Sequence, residues 1–254
     1  MAFNIKLGHL GKALAMAAGV ALTGAVAGCN AENITFGEKK GVPLAELDMS
    51  GDAPTELALM GPDIVRMSEG DTLAIEVEGS EEMAGAMRFA LDGGTLGIMR
   101  SKDAPSDEKA TVLVTMPAPG SIVIAGSGRV ESAALARKAQ VTVTGSGAAI
   151  AKNVDSDELE VNLLGSGSFA GSGAAKELEM QIMGSGSAAM KELTVDRAEI
   201  TIGGSGDGVF RSDGTVDANI MGSGKVRVIG RAKCEVTAVG SGKLVCEPET
   251  TPAE

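Results

Sequence analysis

The chain has no tryptophan and no tyrosine, and only five phenylalanines in 254 residues. Sugar-processing clefts usually offer flat aromatic platforms, so this inventory weighs against a polysaccharide-active enzyme. Histidine occurs once, at His9. It falls in the N-terminal segment read below as a signal peptide, and a mature chain without it excludes Ser-His-Asp and Cys-His nucleophiles and His-ligated zinc. Cysteine occurs three times, at Cys29, Cys234 and Cys246. Basic charge is the scarcer sign, with 22 Lys and Arg against 34 Asp and Glu. A chain this acidic is repelled by nucleic acid and by anionic lipid surfaces.

Glycine, by contrast, is abundant, at 36 residues. Gly-Ser-Gly recurs at Gly126, Gly145, Gly165, Gly184, Gly204, Gly222 and Gly240, with spacings of 19, 20, 19, 20, 18 and 18 residues. A repeat of that length means a stacked architecture. Two and four residues before each corner the columns are apolar, for example Ile124, Val143, Leu163 and Ile182, and Ile122, Val141, Val161 and Met180. Three residues before it they are polar, as in Thr142, Asn162, Gln181 and Thr201. This period-two alternation marks a strand with one buried face. A second strand begins after the tripeptide, at Val130, Ala149, Phe169 and Val226. The unit is strand, glycine corner, strand, loop. The expected fold is all-β: a parallel β-helix, or β-solenoid, of about seven coils over residues 120–246, preceded by a β-rich region at 44–119. With coils ~4.8 Å apart, the repeats span roughly 34 Å. Ser127, Ser146, Ser166, Ser185, Ser205, Ser223 and Ser241 are expected to form a hydrogen-bonded corner ladder, since no base accompanies them as nucleophiles.

The N-terminus reads as a signal peptide over residues 1–28. Lys6 and Lys12 precede an apolar run at 13–27 that is too short and too rich in small residues for a comfortable membrane span. The run ends Val26-Ala27-Gly28-Cys29, a pattern similar to a bacterial lipobox. Acylated Cys29 would be the first mature residue and the lipid anchor. Ordinary cleavage after Ala27 is the alternative, and would leave Cys29 as an odd thiol. Asn30 follows rather than Asp, which by resemblance to Gram-negative lipoproteins implies the outer membrane, on its periplasmic or cell-surface face. Removing residues 1–28 removes two Lys and no acids, so the mature charge is 20 minus 34, or −14.

Residues 29–43 read as a tether. Strands are expected at 55–59, 64–67, 72–78, 87–91, 95–99 and 111–116, with a helical turn at 80–86. Asp92-Gly93-Gly94 is a hairpin signal. Residues 247–254 read as a disordered tail.

Region 44–119 contains Pro-Asp-Ile-Val (62–65), Glu-Gly-Asp-Thr-Leu-Ala-Ile (69–75) and Met-Arg-Phe-Ala-Leu-Asp-Gly-Gly-Thr-Leu-Gly-Ile (87–98). Followed by the Gly-Ser-Gly array, this resembles the head GIN domain family of autotransporter-adhesin-like proteins, over roughly residues 44–246. The resemblance implies a β-helix in the cell envelope and carries over no catalytic residue. The expectation is a passenger-like module that does not secrete itself.

Cys234 and Cys246 flank the last corner at inward-facing positions, so a disulfide is expected there in an oxidising compartment. Glu160, Glu179, Glu199, Asp217 and Glu235 occupy one column five residues before successive corners. Stacked like charges need compensation, from calcium or from splaying into solvent. The column just before the corner, with Leu164, Met183, Met221 and Val239, faces outward yet is apolar. It is expected to lie beneath the 44–119 region, with an exposed binding stripe as the alternative. The functional expectation is a non-enzymatic, lipid-anchored binding or scaffold module for an envelope or extracellular protein or polysaccharide, with no cofactor beyond a calcium option. The competing reading is a polysaccharide-active β-helix enzyme using paired carboxylates.

Overall fold

The computed structural model describes residues 35–36 and 39–248. The expected signal peptide, the expected anchor Cys29 and most of the expected tail lie outside the described residues.

The elements run in chain order. The first part holds β1 (Thr35–Phe36), β2 (Lys39–Lys40), β3 (Glu56–Met60), β4 (Ile64–Glu69), β5 (Ala74–Glu78), α1 (Glu81–Ala86), β6 (Met87–Asp92), β7 (Thr95–Arg100) and β8 (Thr111–Met116). The repeats supply β9 (Ser121–Gly126), β10 (Arg129–Ser132), β11 (Lys138–Gly145), β12 (Ala148–Gly165), β13 (Ser168–Gly184) and β14 (Ser187–Gly204). They end with β15 (Asp207–Arg211), β16 (Thr215–Gly222), β17 (Lys225–Ile229), β18 (Lys233–Gly240) and β19 (Lys243–Glu247). The architecture is the expected all-β solenoid. Each Gly-Ser-Gly corner joins a strand before it to a strand after it, and each strand pairs in parallel with its counterpart one rung away.

Each residue of the corner has a separate reason. The first glycine has φ between 109° and 128° across the seven repeats, which L side chains rarely adopt. At Gly204 an added Cβ would also come within 2.3 Å of the Gly184 carbonyl oxygen in the rung below. The second glycine faces inward, where a Cβ on Gly206 would come within 2.4 Å of Ile182 Cγ2. Core side chains of the previous rung thus fill the space a side chain would need. Between the glycines the serines are exposed, and their backbone N–H groups donate to the first glycine of the preceding rung: Ser146 to Gly126, Ser185 to Gly165, Ser223 to Gly204. The ladder is main chain. A further Gly-Ser-Gly at 171–173 lies off the repeat spacing, within β13, next to the bulge where the rung bends.

Inside, apolar columns stack, with a gap at Gly208 where Met180 Cε fills the space a Cβ would take. Val141, Val161, Met180 and Ile200 form one, and Phe169, Phe210, Val226 and Val228 lie on the other wall, all at most 1% exposed.

The N-terminal strands continue this stack. β3 pairs in parallel with β9 and β4 with β10, and Met60-Gly61-Pro62 takes the corner with Gly61 at φ 128°. β7 and β8 add a further parallel rung on β3 and β4. Spatial order is therefore β7, β3, β9, although β7 follows β3 in the chain. β6 and β5 then pair antiparallel to β7 and β8 and close this pole, with Met83, Met87 and Phe89 fully buried behind them. α1 begins at Ser80, whose Oγ accepts from the Met83 N–H at 3.2 Å. The 39–43 part of the expected tether is bound to the fold: Val42 and Phe89 exchange both backbone hydrogen bonds, at 2.9 and 2.8 Å. Glu247, expected to open the tail, ends β19.

Asp63 is fully buried behind the Gly61 corner and forms an ion pair with Arg100 through two hydrogen bonds. Its Oδ1 also accepts the Ala110 N–H at 2.9 Å, while Arg100 donates to the Pro105 carbonyl at 2.9 Å. One carboxylate thereby fixes the 101–110 connection.

Candidate functional site

The outer face of the strands before each corner carries three columns in register. Farthest from the corner is the acidic one: Glu160 pairs with Glu179, Glu179 with Glu199, Glu199 with Asp217 and Asp217 with Glu235. Next to it runs a polar column through Asn162, Gln181, Thr201 and Asn219. Side chains two apart on a strand share a face. Asn162 accordingly donates to Glu160 at 2.6 Å, and Gln181 to Glu179 at 2.9 Å. These amides supply part of the compensation the stacked acids require. The five carboxylates run in a single file, and no group of three or more Asp, Glu, His or Cys converges as a metal site among the described residues. The calcium expectation gains no support from this placement.

The third column, beside the corner, corrects an expectation. Leu164, Met183, Met221 and Val239 are not beneath the 44–119 region; they are 42%, 39%, 55% and 69% exposed. The N-terminal strands lie end-on in the stack, so they shelter only their own neighbourhood. There Ala58, Ala90 and Met99 form a small buried cluster with Met60 and Val123. At Gly203 the column keeps its apolar cover because Met183 leans across: a Cβ there would come within 2.7 Å of its sulfur. Five rungs of this face, four spacings apart from end to end, make a strip of roughly 19 Å, apolar on one margin and acidic on the other.

Charge pairing concentrates elsewhere, where the rung bends. Arg137 binds Asp155 at 2.9 Å and Asp157 at 3.1 Å, and Lys176 reaches Asp157 at 2.6 Å. The Lys176 hydrogen bond, with Arg137 beside it, holds the Asp157 carboxyl below its ordinary range. The Glu131 carboxyl is lowered chiefly by its hydrogen bond from Arg129. Lys138 is raised by its bond to Glu158.

A shallow concavity of about 430 Å³ lies over β4, β5 and β8, lined by Arg66, Ser68, Ala74, Glu76, Leu113 and Thr115 among others. Glu76 is the single carboxylate on its wall. The paired acids that the enzyme alternative needs are not assembled there. Cys234 and Cys246 do meet: their sulfurs lie at bonding distance, with Cα atoms 6.7 Å apart.

Comparison with known proteins agrees with this fold. A crystal structure described as a putative adhesin from Bacteroides fragilis superposes with a TM-score of 0.67 at 16% identity, covering 77% of this chain and 93% of that one. One described as a putative lipid binding protein from Parabacteroides distasonis gives 0.61 at 20% identity, with the same coverage. A putative adhesin from the same species gives 0.53 at 19%, covering 78% and 93%. No curated protein matches the sequence. The family model described as "Putative auto-transporter adhesin, head GIN domain" matches residues 53–232, and the chain belongs to that family.

Proposed function

We propose that this protein is a non-enzymatic binding module of the cell envelope, anchored by lipid at Cys29, that takes its partner on the outer face beside the glycine corners. The observation that carries this is the uncovered apolar column Leu164, Met183, Met221 and Val239, held in register beside acidic and amide columns. Apolar side chains lined up on an exposed face mark an interaction surface, and the rigid rungs hold them in place for a repetitive partner. Envelope protein or polysaccharide fits this description. Family membership among adhesin-like proteins supports the same class of role. In an oxidising envelope, Cys234 and Cys246 would be joined covalently.

Co-sedimentation of the full chain carrying Cys29→Ser with isolated envelopes tests the face. Saturable binding is expected, weakened at least tenfold by combined Leu164→Ser, Met183→Ser and Met221→Ser. Equal binding by the variant would remove the face from the account. Phospholipid vesicles form a second arm, because one structural neighbour is described as lipid binding. The anchor has its own test: a fatty-acid label should enter the wild-type chain and be lost in Cys29→Ser.

A further inference from the structure

The two poles of the solenoid differ. At the first, β5 and β6 turn antiparallel and α1 packs behind them, so the core columns end under cover. At the other pole the last rung, β18 and β19, pairs only with β16 and β17. Its outer backbone edges have no sheet neighbour among the described residues. The core columns stop there uncovered: Val236 is 51% exposed, whereas Ala218 one rung below is 3% exposed. Leu244 and Cys246 are half-buried, against full burial of Val226 and Val228 beneath them. Residues 248–254 contain no Val, Leu, Ile, Met or Phe.

We propose that a second copy of this chain covers this pole, the two last rungs pairing edge to edge about a twofold axis. An axis parallel to the plane of the last rung, half a strand spacing (~2.4 Å) beyond it and crossing over the core, turns β18 antiparallel to β18 of the other copy, and β19 antiparallel to β19, in one operation. The sequence of β19 suits this. Centred on Val245, antiparallel pairing sets Lys243 of one copy opposite Glu247 of the other, twice, on the outer face. It sets Leu244 opposite Cys246 on the core face, so apolar residues meet apolar ones. Glu247 is already oriented by Arg227 in the rung below. Because the opposite pole is closed, pairing ends at two copies and builds no fibre. The contact is small, about 26 Å by about 10 Å per copy from strand length and sheet spacing, which places it among weak, reversible interfaces. β1 and β2 lie beside β6, so each chain enters at the closed pole and the two entering segments lie at the far ends of the dimer. On the anchored reading above, that arrangement suits molecules held on two facing surfaces.

Sedimentation equilibrium of the full chain carrying Cys29→Ser tests the pairing independently of the anchor and of the binding face. A reversible dimer with a micromolar dissociation constant is expected. Lys243→Glu alone and Glu247→Lys alone each place like charges opposite one another, and each should weaken dimerisation at least tenfold. An equimolar mixture of the two should restore it, since unlike charges then meet at both contacts. Val245→Lys, an outward position that leaves the core intact, should also give monomers, and circular dichroism checks that every variant folds. A wild-type chain that stays monomeric at the highest concentrations overturns the proposal. So does a mixture that dimerises no better than its components.

Discussion

At the residue scale, the fold depends on where side chains are absent. Gly204 sits at φ 128°, with the Gly184 carbonyl where a Cβ would go, so relief requires moving backbone in two rungs. Gly204→Ala should destabilise the protein by about 2 kcal/mol or more, read by chemical denaturation. Ser205→Ala, one residue on, should stay within about 0.5 kcal/mol, because the serine side chain is exposed and the ladder uses its N–H. Asp63 is the opposite case, a side chain the fold cannot spare. Asp63→Ala leaves Arg100 in a largely buried position without its counter-charge, and should cost about 3–5 kcal/mol. The sequence set this residue within Pro-Asp-Ile-Val (62–65) but did not show that it is buried and paired. Its partner lies 37 positions away, and an acid after Gly-Pro reads as an ordinary turn.

Elements differ in how far the sequence exposed them. The Gly-Ser-Gly rungs were legible because every corner imposes the same pair of steric demands, and period-two columns then give the strand before it. The N-terminal rungs were legible as strands but not as rungs. Met60-Gly61-Pro62 lacks the tripeptide, and β3 and β4 slot between rungs that come later in the chain. The cover of the Leu164 column was misjudged for the same reason, since it depended on where that region packs. Two predictions belong here. Joining Cys234 and Cys246, 12 residues apart, should stabilise the last rung by about 3 kcal/mol. In the Cys234→Ser, Cys246→Ser variant, amide exchange should accelerate in β18 and β19 while β11 to β14 stay protected. The bends supply a pH effect. Asp157 and Glu131 have lowered carboxyl pKa values in the folded chain, so their contribution is present above the unfolded values near ~4 and is lost as pH falls further. Lys138 is raised, so its contribution holds at neutral pH and fades only in strong alkali. Melting temperature should therefore drop below about pH 4, modestly, because these groups are solvent-screened. Lys176→Ala combined with Arg129→Ala, which removes the main cause of each lowered carboxyl, should flatten that acid limb.

On the scale of the whole molecule, the solenoid is a rod with one closed pole, one open pole and a regular outer face. The claim that this face is the binding surface is tested most directly inside intact cells. A photo-crosslinking residue is placed either at Met183, on the proposed face, or at Ala189, exposed on the strand beyond the corner. The account predicts strong cross-links to an envelope component from position 183 and background levels from position 189. Equal yields from both, or a product from 189 alone, would contradict it.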